Sequence, residues 1–257
     1  MRTDFIGLPL DVVSLEDVVR TAGEAIGRKG CLTHCSLNAL KVVQARRDAD
    51  LRVLLGRFDL VTADGMSVVW GMGLLRRRLA GRVAGVELMD RLLREGARRG
   101  WSFFFLGGHP EIAECLVRRV ESLFPGVRIS GVRHGYYPAQ EEKDVVQAIA
   151  GTRPDVLFVG MPSPRKERFL IENRAELNVP FSMGVGGGLD LLAGRTRRAP
   201  VWMRASGLEW SYRVLQEPRR LAGRYLLTNI RFAALLASAV LRPTRMEGKS
   251  RGSRRGV

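Results

Sequence analysis

Phe103-Phe104-Phe105-Leu106-Gly107-Gly108 is the stretch on which the fold turns. Four apolar residues closed by two glycines are too short for a helix and suit a strand buried on both faces. The glycine pair marks the turn that ends it. Working outward, similar short runs predict strands over Cys31–Cys35, Asp59–Thr62, Ser102–Leu106, Val127–Val132, Val156–Val159 and Phe181–Val185. Helical patterns fall between them, over Leu15–Arg28, Ala39–Asp48, Gly85–Arg99, Glu111–Phe124, Gln140–Ala150, Lys166–Leu177 and Leu189–Ala193. A further helix-like run extends from Met66 to Leu75. Such alternation predicts an α/β fold with a mostly parallel sheet and helices on both faces, Rossmann-like in plan. Ligands of such sheets sit at the carboxyl ends of the strands.

Two strands end in glycines at that edge: Gly107-Gly108, and Gly184-Val185-Gly186-Gly187-Gly188 before Leu189-Asp190. Glycine lets backbone amides approach a diphosphate closely. Leu189 stands where the last glycine of G-x-G-x-x-G belongs, so a nicotinamide fingerprint is not supported. Thr62-Ala63-Asp64-Gly65 sets a lone carboxylate at a strand-to-helix turn, and Arg82-Val83-Ala84-Gly85 follows. Asp64 could accept a proton from a hydroxyl, and Arg82 could neutralise a departing diphosphate. The competing expectation is that Asp64 only caps the next helix. Asp48-Ala49-Asp50 matches the D-x-D pattern of metal-dependent transferases, but it is read as a helix boundary with local charge pairing. Lys166, after the Pro162-Ser163-Pro164 loop, is placed to open the next helix and aim a cation at a strand mouth. In His134-Gly135-Tyr136-Tyr137, a tyrosine can stack on a base or simply pack.

Composition describes a globular chain: 46% hydrophobic and 26% charged over 257 residues, enough for a full core. Cys31, Cys35 and Cys115 fit no disulfide framework and are read as reduced cytosolic thiols. No signal peptide is expected, because Met1–Leu10 carries Asp4 and Pro9. The longest apolar run, Phe232–Leu241, is expected to be too short to span a bilayer. The net charge of +16 is lopsided: Arg195–Val257 holds 15 Lys+Arg against 3 Asp+Glu. That asymmetry suits an anionic partner, membrane lipid or nucleic acid, or else a solvated basic tail. Nucleic acid is disfavoured, since no helix-turn-helix, zinc or RNA-recognition signature is present. Three regions are expected: an α/β catalytic domain over 1–194, a basic helical appendage over 195–242, and a disordered basic tail over 243–257. Within the appendage, Arg220, Arg224 and Arg231 of a helix after Pro218 would project within about 40° of each other. Deletion after Ala199 is expected to leave a soluble core with weaker liposome binding.

These pieces, in this order, resemble the WecG/TagA/CpsF glycosyltransferases, glycosyltransferase family 26. The resemblance rests on Ser36-Leu37-Asn38, Ala63-Asp64-Gly65, Arg82-Val83-Ala84-Gly85, Phe105-Leu106-Gly107-Gly108 and His134-Gly135-Tyr136. It continues through Pro154–Gly160, Gly184–Gly187, Asp190–Gly194, Arg198-Ala199-Pro200, Gly207–Trp210, Glu217–Arg220 and Arg224–Leu226. It implies an inverting, metal-independent transfer of a sugar, N-acetylmannosamine-type or a uronic acid, from a UDP-sugar to a polyprenyl-diphosphate-linked acceptor. It places that reaction at the cytoplasmic membrane face, with no cofactor and with oligomerisation left open. Asp64 becomes the expected base, with Arg82 beside it. Ser36, Asn38, Gly107, Gly108, Gly135, Tyr136, Lys166, Gly186, Gly187 and Asp190 become the expected substrate-binding set. Arg213, Arg219, Arg220, Arg224 and Arg231 are expected to meet lipid or the acceptor diphosphate. The family often has Pro-Lys-Gln-Glu where this chain has Pro164-Arg165-Lys166-Glu167, so a cation replaces an amide and an acidic donor sugar is implied. A non-catalytic nucleotide-binding module is the alternative.

Overall fold

The computed structural model describes residues 1–241. A hairpin, β1 (Arg2–Phe5) and β2 (Leu8–Asp11), precedes α1 (Leu15–Gly27), β3 (Leu32–Leu37), α2 (Ala39–Arg47), α3 (Ala49–Gly56) and β4 (Leu60–Ala63). Then come α4 (Met66–Leu74), α5 (Gly85–Arg99), β5 (Ser102–Gly107), α6 (Ala113–Leu123), β6 (Arg128–Arg133) and α7 (Glu142–Thr152). β7 (Val156–Gly160), α8 (Arg165–Glu172), α9 (Arg174–Leu177), β8 (Phe181–Gly184) and α10 (Gly188–Leu192) finish the α/β body. The appendage is α11 (Val201–Ala205), α12 (Glu209–Gln216) and α13 (Pro218–Leu241).

Strands β3 to β8 form one six-stranded sheet in the order β4-β3-β8-β7-β5-β6, with every pair parallel. All six carboxyl ends therefore lie on one edge. The apolar strands are buried on both faces, so the core divides in two. One half packs Val42, Val43, Phe169 and Leu170 against the sheet, and the other packs Leu88, Leu92, Leu116 and Leu189. The helix after β3 and the helix after β8 thus lie on opposite faces, although the strands are neighbours. The same holds for β7 and β5, followed by α8 and α6. Where the winding reverses in this way, between β3 and β8 and between β7 and β5 among others, the carboxyl edge is where such sheets admit ligands in a crevice.

Three features depart from the sequence reading. The hairpin was not foreseen; it buries Phe5, Leu8 and Leu10, and Asp11 accepts the outward N–H of Val61 at 2.8 Å. That carboxylate, held by Arg2 at 2.8 Å, occupies the open edge of β4. α3 is also new: Asp48 ends α2 and caps α3, accepting from the Leu51 N–H at 2.9 Å. D-x-D is a helix boundary, as read, but the charge pairing is not local: Asp50 lies 3.4 Å from Arg168 of α8. Third, α13 is a continuous helix that stretches the expected ten-residue run into Leu221–Leu241, long and apolar enough to cross a bilayer by length and composition. The expectation that the apolar run is too short missed the residues before Phe232, because Arg224 and Arg231 interrupt them. α13 nevertheless lies along the body. Its stripe Leu221, Thr228, Phe232 and Leu236 is buried, at helical spacing, and Phe232 meets Phe5 with ring centroids 6.3 Å apart. The segment from 243 onward, expected to be disordered, lies outside the described residues.

His34, fully buried in β3, hydrogen-bonds Thr62 Oγ1 through Nε2 at 2.8 Å, and its Nδ1 has no partner. Burial first, then the Lys41 charge, pushes its pKa from 6.5 to about 3. The unfolded chain therefore takes up a proton that the folded chain refuses. Stability is whole above pH 6.5 and falls as pH drops towards 3, by about 2 kcal/mol at pH 5. Urea melts at pH 7 and pH 5 should show that loss in the wild type and little of it in His34→Gln. Equal pH sensitivity in both would rule out the neutral buried imidazole as its cause.

Candidate active site

The carboxyl edge gathers the candidate residues from separate parts of the chain. Ser36 is still within β3, which ends at Leu37 rather than Cys35, so its backbone is held by the sheet. Asn38 caps α2 by accepting from the Lys41 N–H at 3.0 Å. Asp64 directly follows β4, and its own N–H is bonded to the Leu37 carbonyl at 3.0 Å. It does not cap the helix that follows it: the N-cap of α4 is Gly65, with no side-chain bond. Instead Asp64 Oδ1 accepts from the Gly85 N–H, the first residue of α5, at 3.3 Å. Val83 N–H bonds the Ala63 carbonyl at 2.8 Å, which fastens the Arg82–Gly85 loop against β4. Asp64 thus sits at the amino end of a fifteen-residue helix.

Arg82 turns to two other carboxylates, Glu87 at 3.1 Å and Glu209 at 3.4 Å. Glu87 also receives Arg198 at 2.7 Å and Arg204 at 3.1 Å. This cluster joins the body to α11 and α12. Sequence reasoning named Arg82, and quoted Arg198 within Arg198-Ala199-Pro200 without a role, but missed Glu87 and Arg204; no local pattern signals residues that meet across so much chain.

Beneath Ser36 lies a buried charged group. Lys41 Nζ donates to the Ser36 carbonyl at 2.5 Å and lies 3.0 Å from both Cys35 Sγ and Glu167 Oε1. Lys166 Nζ is also 3.0 Å from Glu167 Oε1, and its stem crosses Gly184, where an added Cβ would stand 3.0 Å from Cδ. Burial would raise the Glu167 pKa, but Lys41 and Lys166 outweigh it and bring it down to about 2. Burial also pushes the Cys35 thiol up, so it is neutral at pH 7 and Glu167 is the counter-ion that matters to Lys41. Lys166 is pushed down, by burial first and by Lys41 second. Two lysines on one carboxylate leave one net positive charge beside the crevice between β3 and β8.

The glycines gather at the ends of β5 to β8. Gly107 has φ 134°, and a Cβ there would lie 2.6 Å from the Gly160 backbone. Gly160 in turn has the Gly186 carbonyl 3.2 Å from its own would-be Cβ. Gly135 N–H bonds the Gly108 carbonyl at 3.3 Å. Gly107, Gly108, Gly135, Gly160 and Gly186 are therefore one cluster at the ends of β5, β6, β7 and β8. Gly187 precedes α10, whose first turn carries the half-buried Asp190. Tyr136 is 68% exposed and stands edge-on to His109, 5.4 Å between centroids. Tyr137 is buried under Arg165, whose guanidinium lies 4.4 Å from the ring centre.

Of the appendage arginines, Arg219, Arg224 and Arg231 are exposed along α13. Arg213 and Arg220 belong to α12 and α13. The appendage also exposes apolar residues: Val201, Trp202, Trp210, Leu215, Leu226, Leu227 and Ile230. Trp70 and Leu74 of α4 extend that surface onto the body, since Gly207 packs on the Trp70 ring.

The family model described as the WecG/TagA/CpsF glycosyl transferase family matches residues 3–246. The chain is 31% identical over 176 residues to a Bacillus subtilis (strain 168) N-acetylglucosaminyldiphosphoundecaprenol N-acetyl-beta-D-mannosaminyltransferase, covering 68% of each. It is 33% identical over 168 residues to the enzyme of the same name from Staphylococcus aureus (strain MW2), covering 65% of each. Near-complete coverage by the family model, over the same residues that build the carboxyl edge, makes this chain a member of the WecG/TagA/CpsF glycosyltransferase family.

Proposed function

We propose that the protein transfers a sugar from a UDP-sugar to a polyprenyl-diphosphate-linked acceptor sugar by an inverting single displacement, at the inner face of the membrane. The observation that carries the reading is Asp64, a carboxylate fixed at the carboxyl edge by the Gly85 amide, on the same segment that carries Arg82 and Glu87. Asp64 takes the proton of the acceptor hydroxyl as that oxygen attacks the anomeric carbon. The bond to the UDP oxygen breaks on the opposite side, and Arg82 meets the charge that develops on the diphosphate. The named relatives act on an N-acetylglucosaminyl diphosphoundecaprenol, a lipid of the class proposed here as acceptor.

The donor is placed along the edge of the sheet. Tyr136 offers its exposed face to the base, the Gly107–Gly108 and Gly186–Gly187 turns offer amides to the diphosphate, and Ser36, Asn38 and Lys166 flank the sugar. From β5 to β4 is four strand spacings, about 19 Å, room for an extended nucleotide sugar. Exposed tryptophans and arginines of α11–α13, with Trp70, suit the lipid interface. The test is a screen of UDP-sugars with a short-chain polyprenyl-diphosphate–sugar acceptor, reading product by mass and anomeric configuration. UDP binding without turnover on any pair would leave only the nucleotide-binding module.

Lys166 sets the choice between donors. Its ammonium belongs to a group with one surplus positive charge, which a sugar carboxylate would neutralise. Lys166→Gln should shift preference from acidic towards neutral UDP-sugars, costing the acidic donor about 1.5–3 kcal/mol in kcat/KM. An unchanged donor profile would remove Lys166 from the sugar pocket. No step calls on a metal, so activity in EDTA is expected to equal activity without it; loss on chelation with recovery in Mg²⁺ or Mn²⁺ would contradict this.

A further inference from the structure

Glu87 stands at the third position of α5, two residues beyond the Gly85 amide that holds Asp64. Its Oε1 receives three guanidinium groups: Arg82 from the body at 3.1 Å, and Arg198 and Arg204 from the appendage at 2.7 and 3.1 Å. The Nε atoms of Arg198 and Arg204 are buried without partners. Glu209 of α12 adds one more carboxylate, 3.4 Å from Arg82. Three cations against two anions leave the group one charge positive. Without Glu87, the three guanidiniums would keep Glu209 within the group, with Asp90 acting on Arg198 from farther off.

We propose that Glu87 is a positioning residue, the latch that holds the appendage closed over the carboxyl edge. It acts by offsetting repulsion among arginines that come from both sides of the joint. Arg198 shows the strain of that crowding: burial, then Arg204, lowers its pKa, and Glu87 opposes them. The latch itself is independent of the transferase reading; only its effect on turnover rests on it. An anion brought by the substrate would add to the same balance, so closure and diphosphate binding use one set of charges.

The test uses the full chain and a readout apart from activity. Arg195 and Arg197 are exposed in the stretch between α10 and α11, so trypsin cutting there reports how firmly the appendage is seated. Glu87→Gln should be cut there ~10-fold faster than wild type, because removing one partner leaves buried charge unpaired. Salt should partly slow cutting of Glu87→Gln, since at 1 M the screening length is about 3 Å and like charges that become wetted as the joint opens repel less. The double variant Glu87→Gln with Arg204→Gln restores the original balance, so it should be cut more slowly than Glu87→Gln alone. Glu87→Asp, which keeps the charge, should fall between wild type and Glu87→Gln. In the transferase assay, Glu87→Gln should lower kcat and recover part of it in salt. A merely structural glutamate would give faster cutting that salt leaves alone and that Arg204→Gln makes worse; either result overturns the latch. Wild-type cutting in Glu87→Gln also overturns it. A latch that passes the proteolysis tests in a protein without turnover would point to a failure of the proposed reaction instead.

Discussion

Asp64→Asn is expected to lower kcat by about 10²–10⁴ while leaving the fold and UDP affinity in place. The amide has the shape of the carboxylate, and its oxygen can still accept from the Gly85 N–H now bonded at 3.3 Å. What it loses is the capacity to take a proton. The expected pattern is therefore a kcat effect with melting temperature and UDP dissociation constant near wild type. Asp64→Ala would also release Gly85 at the start of α5, so the asparagine is the cleaner variant. Near-normal turnover in Asp64→Asn would remove the base, and with it the proposed mechanism.

The second large effect concerns membrane docking. Arg219, Arg224 and Arg231 are exposed on α13, and each cation near an anionic surface contributes about 1 kcal/mol. Replacing all three with glutamine should weaken partition onto anionic liposomes by on the order of 100-fold, with little change on neutral vesicles. Equal sedimentation of wild type and variant with anionic vesicles would exclude α13 as the docking element. Deletion after Ala199 looked from sequence like the natural experiment, but the structure argues against it. α13 buries Phe232 and Leu236 against Phe5 and α2, so truncation would uncover core as well as remove arginines. The point variants separate the two effects.

The sheet was legible because its strands announce themselves. Phe103–Leu106 and Val156–Val159 are apolar throughout, as burial on two faces demands, and Phe181–Val185 is broken only by Ser182 and Gly184. The hairpin was missed because Arg2–Asp11 has the polarity of a surface segment; only contact with β4 makes Asp11 a buried carboxylate. α3 was missed because Asp48 both ends one helix and begins the next, without a glycine or proline to mark the break. Asp64, Arg82 and the glycine turns could be named from their places after strands. Glu87, Glu167 and Lys41 could not. A glutamate in the first turn of a helix looks like an ordinary dipole partner, and nothing nearby reveals that three arginines will reach it. Lys41 and Glu167 lie far apart in the chain and read as solvated charges until β3 and β7 bring α2 and α8 together.

The contact between Phe5 and Phe232 has a consequence for how the protein is made. The β1–β2 hairpin buries the Phe5 ring under α13, so the ring is translated long before its cover. At about 5–20 residues per second, Phe5 waits on the order of ten to forty seconds for its cover. During that interval the hairpin and α2 present an apolar surface to the cytosol, and α13 emerges with apolar residues on its other side. The nascent chain therefore carries this uncovered apolar surface until α13 emerges. Chains stalled before α13 should be recognised by chaperones and proteases far more readily than the completed protein.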